Sequence, residues 1–164
     1  MIIEYAKKDN EVKSPSRSNP SDAGLDVYAN LPESITISPG KNRTIPTGLR
    51  FGIPHGYMLQ VCNRSSMGAK RSLIVGAHII DSGYDGEVFI DLHNIGCESQ
   101  LINNQDKIAQ LVLVPVVHFR ARQSDTRNLY EHQGLTISSR GAGALGSTDQ
   151  PPAHPLNDIP VGGF

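Results

Sequence analysis

The chain has 164 residues, enough for one domain with a proper core and too few for two comfortable ones. Its 16 Gly and 11 Pro, against 4 Phe, 5 Tyr and no Trp, describe a turn-rich chain whose core must be mostly Ile, Val and Leu, a usage that favours strands. Fifteen basic and sixteen acidic residues leave a formal charge of −1, which gives no general electrostatic reason to bind nucleic acid polymers or anionic membranes; any anion site must be local. Cys62 and Cys97 lack paired metal-ligand spacing, and no apolar N-terminal run reads as a signal peptide or a membrane span. The expected compartment is the cytoplasm, with both thiols reduced.

Apolar residues alternate or cluster in short runs, broken at fairly regular intervals by Pro, Gly, Asn and Asp, which predicts an all-β barrel or sandwich. In chain order the expected strands are Ile2 to Ala6, Leu25 to Ala29, Ser34 to Ser38, Arg43 to Arg50, Tyr57 to Asn63, Leu73 to Ile80, Glu87 to His93 and Lys107 to Val114. Turns are expected at Pro39-Gly40, Pro54-His55-Gly56, Asn94-Ile95-Gly96 and Asn103-Asn104, and a short helix fits Ser66 to Leu73. In the run from Glu87, Val88, Ile90 and Leu92 share a core face while Glu87, Phe89, Asp91 and His93 share a polar one. Residues 1–119 form the expected β-barrel domain. After Arg120 the chain turns polar and then rich in Gly, Ser and Pro, so residues 120–148 read as an arm and 149–164, with four prolines, as a tail that is disordered or partner-bound.

Three segments carry chemistry. The stretch from Gly76 to Glu87 sets the Asp81 carboxylate and the Tyr84 ring three residues apart on a turn between apolar runs; a carboxylate there can accept a proton from water and a ring can cover a sugar or base, although a strand-end turn former is the plainer local reading of Asp81. Asn63-Arg64-Ser65-Ser66-Met67-Gly68-Ala69-Lys70 follows a strand and brings together a guanidinium, two hydroxyls and backbone N–H groups, which are the groups that hold phosphate oxygens. Ser139 to Thr148 combines Arg140 with glycines and hydroxyls in the same sense. A solvated loop and a flexible linker are the alternatives for these two runs. The six histidines show no pair at ligand spacing, and a Ser65 or Ser66 nucleophile has no positioned base in the sequence.

Taken in order, these segments form part of a set. Ser21-Asp22-Ala23-Gly24-Leu25-Asp26-Val27, Asn63 to Lys70, Gly76 to Glu87, Asp106-Lys107-Ile108-Ala109-Gln110-Leu111-Val112 and Arg140 to Thr148 resemble the five motifs of the trimeric dUTP diphosphatases (dUTPases). The resemblance implies a jelly-roll-like β-barrel subunit with a mobile C-terminal arm, assembled as a homotrimer whose active sites form where subunits meet. It implies hydrolysis of dUTP to dUMP and pyrophosphate, with Mg²⁺ on the triphosphate. Asp81 would be the general base and Tyr84 would pack on the deoxyribose, leaving no room for a 2′-hydroxyl. Arg64, Ser65, Ser66 and Gln110 would hold the phosphate chain, while Val75, His78, Ile79, Ile80 and Phe89 belong to the hairpin that receives the nucleoside. Arg140, Leu145, Gly146, Ser147 and Thr148 would close over the substrate, and Asp26 would support Arg64 and the water shell of the metal without ligating it directly.

The chain departs from the family pattern at several positions. Asn63 stands where Pro is usual, which is expected to cost turn rigidity. Leu145 stands where a stacking Phe is usual, and Ala144 where Gly is common. His78 replaces a usual Gly and, with Ala77 to Gly83, resembles the corresponding run of dCTP deaminases, in which a Glu ten residues after the Asp performs deamination; Asp91 holds that position here. A dCTP deaminase or bifunctional enzyme is therefore one alternative. A nucleotide-sensing binding protein on the same barrel, using the Pro-rich tail, is another.

Overall fold

A computed structural model describes residues 1–125 and 129. The chain divides into two units, Met1–Phe119 and Arg120–Phe164, and the architecture below is that of the first. Its elements in order are β1 (Tyr5–Lys7), β2 (Leu25–Tyr28), β3 (Ile35–Ile37), β4 (Asn42–Pro46), β5 (Leu49–Phe51), β6 (Tyr57–Cys62), α1 (Ser65–Arg71), β7 (Leu73–Val75), β8 (Ile79–Asp81), β9 (Phe89–Asn94), β10 (Gln100–Ile102) and β11 (Lys107–Pro115). All the strand pairings among the described residues are antiparallel, in sheets ordered β2-β11-β6-β8, β4-β9-β7, β1-β5 and β3-β10. The fold is all-β and jelly-roll-like.

The core is aliphatic, as the composition requires. Ile45, Leu49, Leu73, Ile90, Leu92 and Ile108 are fully buried. The alternation expected in β9 is present: Ile90 and Leu92 are buried, with Val88 just before them, while Phe89 on the other face is 48% exposed. Among the described residues two polar side chains, Thr47 and Asn94, are buried, and both are satisfied. Thr47 Oγ1 donates to Val88 O at 2.7 Å, and Asn94 Nδ2 donates to Ile37 O at 2.8 Å and to Glu98 O at 2.7 Å.

Three differences from the sequence expectation have physical causes. The run expected as one strand from Arg43 to Arg50 is broken between β4 and β5 at Gly48, whose φ of 71° only glycine adopts without strain. The run from Leu73 to Ile80 is likewise two strands, β7 and β8, separated by an exposed crossing at Gly76-Ala77-His78. The strand β10 was not expected: it is three residues long, and Leu101 at its centre points outward at 52% exposure, so its pattern is too short to register. The helix fits closely, starting one residue earlier than expected and ending at Ser72, which takes the left-handed conformation and donates its N–H to Gly68 O at 3.1 Å. Among the described residues no helix is long and apolar enough to cross a membrane. Cys62 and Cys97 are free thiols.

Candidate active site

Strand β6 organises the site because two motifs leave it from opposite ends. Its C-terminal end runs through Asn63 into Arg64 and α1, while its N-terminal end carries β8, with Met58 opposite Asp81 and Gln60 opposite Ile79. The residues predicted to bind substrate are thereby sorted into two separate clefts.

The first cleft, of about 590 Å³, is lined by Ser18, Asp22, Asp26, Arg64, Ser65, Ser66, Lys70 and Gln110 among others. Arg64 precedes the first turn of α1, its carbonyl accepting from Met67 and Gly68 N–H, each at 3.0 Å, and Ser65 and Ser66 are exposed there. The guanidinium is not left to wander. Its Nε donates to Asp26 Oδ1 at 2.8 Å, and Nη1 reaches Ser66 Oγ and Lys107 O, each at 3.4 Å. The other oxygen of Asp26 takes Lys107 Nζ at 2.7 Å. Burial alone would raise the Asp26 pKa, but the hydrogen bonds from Lys107 and Arg64 and their charges outweigh it and hold the carboxyl below its ordinary value; the same contact with Asp26 raises Lys107. The carboxylate thus stays ionised and fixes the fork of Arg64 facing the cleft. Gln110 Nε2 donates to Asn63 O at 2.9 Å, so one of its amide hydrogens is already committed to the loop that starts the phosphate-type motif.

The second cleft, of about 220 Å³, is lined by Ile79, Ile80, Asp81, Tyr84, Glu87, Val88 and Phe89. The turn after β8 passes through Gly83 at φ 86°, and Tyr84 N–H closes it on Asp81 O at 3.3 Å. Tyr84 folds back over its own hairpin: Oη donates to Glu87 O at 3.0 Å, and the ring lies so close to Gly86 that a Cβ there would stand 2.4 Å from Cζ. Glu87 braces the hairpin from the other side, its Oε1 accepting from Gly48 N at 2.8 Å, and Asp85 meets Arg50 at 3.3 Å. The result is an exposed carboxylate and a half-exposed ring flanking a small cleft with apolar Ile79 and Phe89 beside them.

Not every expected residue reaches a cleft. Val75 is buried at the end of β7, and the His78 ring turns to β6, with Nδ1 2.9 Å from Val61 O. Asp91 also points elsewhere. It meets His93 Nε2 at 2.8 Å and Asn42 Nδ2 at 2.9 Å, and although burial opposes it, these bonds hold its carboxyl below the ordinary value. Arg140, Leu145, Gly146, Ser147 and Thr148 lie outside the described residues. Lys107 lies within the fourth motif with no role implied there, and its place beside Asp26 follows only from the pairing of β11 with β2. Ser18, outside every motif, adds a hydroxyl to the first cleft; no signal in its sequence surroundings marks it.

This geometry can be set against known proteins. The dUTPase family model matches residues 10–144. The chain is 36% identical over 149 residues to the deoxyuridine 5'-triphosphate nucleotidohydrolase of Desulfitobacterium hafniense (strain DSM 10664 / DCB-2), across 89% of this chain and 93% of that relative. It is 42% identical over 128 residues to the enzyme of the same name from Bdellovibrio bacteriovorus, across 77% of this chain and 80% of the other. Among solved structures, the Staphylococcus bacteriophage 80alpha dUTPase with dUPNHPP superposes with a TM-score of 0.75 at 23% identity, over 89% of this chain and 97% of that one. A dUTPase of phage phi11 of S. aureus, described with a structural Mg(II) ion, gives a TM-score of 0.70 at 24% identity, over 77% and 98%. These two likenesses concern the fold. The family model's match runs across both clefts, and with these curated relatives beside it the chain belongs to the dUTPase family.

Proposed function

We propose that the protein hydrolyses dUTP to dUMP and pyrophosphate. The observation that carries this reading is the pairing of an exposed carboxylate with a seated aromatic ring in one cleft, and a fixed guanidinium with two hydroxyls in another. Asp81 accepts a proton from water as that water attacks the α-phosphorus. Arg64, Ser65, Ser66 and Gln110 hold phosphate oxygens and stabilise the charge that develops on them. Tyr84 lies against the deoxyribose and disfavours a 2′-hydroxyl. Arg140, Leu145, Gly146, Ser147 and Thr148 close over the bound nucleotide.

Within one chain the proposed base and the phosphate-binding groups line separate clefts. Met58, opposite Asp81, precedes Arg64 by six positions, most of them along β6, a span of up to about 20 Å at about 3.3 Å per residue. A base must lie within hydrogen-bond reach of its water. This separation supports a homotrimer in which the hairpin cleft of one subunit meets the phosphate cleft of another.

Mg²⁺ fits the donors present. The ion keeps several waters and needs only one or two carboxylates beside substrate phosphates, and Asp26 lines the phosphate cleft with a second lone pair on each oxygen. When bound it would neutralise triphosphate charge; Asp26 would touch its water shell while keeping Arg64 in place. The cytoplasm is the proposed compartment.

The deaminase alternative is not favoured: the two oxygens of Asp91 are engaged by His93 and Asn42, and the residue does not line the hairpin cleft. A purely nucleotide-sensing role has no feature among the described residues to favour it over hydrolysis. The deciding experiment is a pyrophosphate-release assay with dUTP, dCTP, dTTP and UTP, monitoring ammonia from dCTP. Hydrolysis confined mainly to dUTP, abolished by Asp81→Asn with nucleotide binding kept, is expected; ammonia release or turnover by the Asn variant would overturn the assignment.

A further inference from the structure

The crossing from β7 to β8 leads directly into Asp81, yet Gly76, Ala77, His78 and Ile79 are all exposed, so the core does little to fix it. Its position rests on hydrogen bonds. Gly76 N–H donates to Asp91 O at 2.9 Å, and Val61 N–H donates to His78 O at 2.8 Å. Two side chains add to these backbone bonds. Asn63 Oδ1 accepts from Val75 N–H at 2.7 Å, at the entrance to the crossing. His78 Nδ1 meets Val61 O at 2.9 Å, at its exit; a carbonyl only accepts, so Nδ1 carries the hydrogen and can donate in either charge state of the ring. Asn63 also receives Gln110 Nε2 on its main-chain oxygen.

We infer that Asn63 and His78 are positioning residues, a two-point clasp from the end of β6 to the crossing that sets where β8 delivers Asp81 and ties that placement to the phosphate loop. Neither group touches the reacting atoms in this assignment. A side chain without a polar group at position 63 or 78 could make neither bond. The clasp rests on the reading of Asp81 as the base, and it predicts an effect on turnover rather than on substrate affinity.

The test compares full-length wild type with Asn63→Ala, His78→Ala and His78→Asn, whose amide Nδ2 can replace the ring donor. The readouts are kcat and KM for dUTP, melting temperature, and amide hydrogen exchange at Val75. Each Ala variant is expected to lose roughly tenfold in kcat with KM changed less than about threefold, because a misplacement of the base below 1 Å is enough for that. The double Ala variant should lose less than the product of the two, since both act on one segment, and His78→Asn should regain most of the rate. Unchanged kcat in both Ala variants with lowered melting temperature would reduce the pair to ordinary structural contacts and overturn the inference, as would His78→Asn being as slow as His78→Ala. If wild type does not turn over dUTP, the proposed function fails separately. In that case faster exchange at Val75 in Asn63→Ala supports the Asn63 contact, and unchanged exchange overturns it.

Discussion

Gly86→Ala is a substitution whose effect on the fold and on selectivity should separate cleanly. A Cβ on Gly86 would lie 2.3 Å from Tyr84 Oη and 2.4 Å from Cζ. Carbon atoms settle at about 3.5 Å or more, so the ring must retreat by roughly 1 Å. The backbone at Gly86 is not in the left-handed region, and the ring, 47% exposed, can swing outward at its far end. The stability cost is then little more than the Tyr84 Oη to Glu87 O hydrogen bond, about 1 kcal/mol, or ~3 °C in melting temperature. The functional cost is larger, because the ring is the surface against which the sugar is judged and displacement by about 1 Å can cost up to ~100-fold in rate. Steady-state kcat/KM for dUTP and for UTP gives the readout. The dUTP value should fall roughly ten- to hundredfold and the preference over UTP should shrink, while Tyr84→Phe, which keeps the ring over Gly86, should retain more of both. A Gly86→Ala enzyme with the wild-type dUTP to UTP ratio would refute the ring-seat reasoning.

Asp26 gives an acid signature. Its carboxyl is held below the ordinary value in the folded protein, so its contribution to stability is fully present above the unfolded value of about 4 and drains away as pH falls through the lower folded value. Denaturant unfolding should therefore show wild type more stable than Asp26→Asn at pH 7, by about 2 kcal/mol for the bond to the partly buried Arg64, with the gap closing below about pH 4; a gap independent of pH would contradict the ionised pair. At the other end of the chain, truncation after Ser138 removes Arg140, Leu145, Gly146, Ser147 and Thr148, and should leave a folded assembly by size-exclusion chromatography whose dUTP turnover collapses; normal activity would remove the arm from the mechanism.

What could be read in the sequence depended on how far apart the partners lie. The β9 pattern was legible because Val88, Ile90 and Leu92 alternate along one run, and the segments that line the clefts were visible because each is contiguous, although their division between two clefts was not. The split at Gly48 was not, since a strand-forming run continues on both sides of it and the turn declares itself only in φ. The bonds that set Asn63, His78 and Lys107 join β6 to β7, β6 to β8 and β11 to β2, and no local pattern reports a cross-strand register. Asn63 read locally as a loss of rigidity, whereas its side chain replaces a ring constraint with a specific tether. The position of Asp91 likewise suggested a second chemistry until its neighbours Asn42 and His93 were seen to occupy it.

The two ends of β6 also determine how damage is shared. In the proposed trimer each chain lends its carboxylate to one site and its guanidinium to a different one, so a subunit carrying Asp81→Asn spoils one reaction centre and still completes another for its neighbour. Inactivating lesions at opposite ends of the same strand would therefore compensate in mixed assemblies, and a chain separated from its partners would hold both halves of the chemistry with no place to use them together.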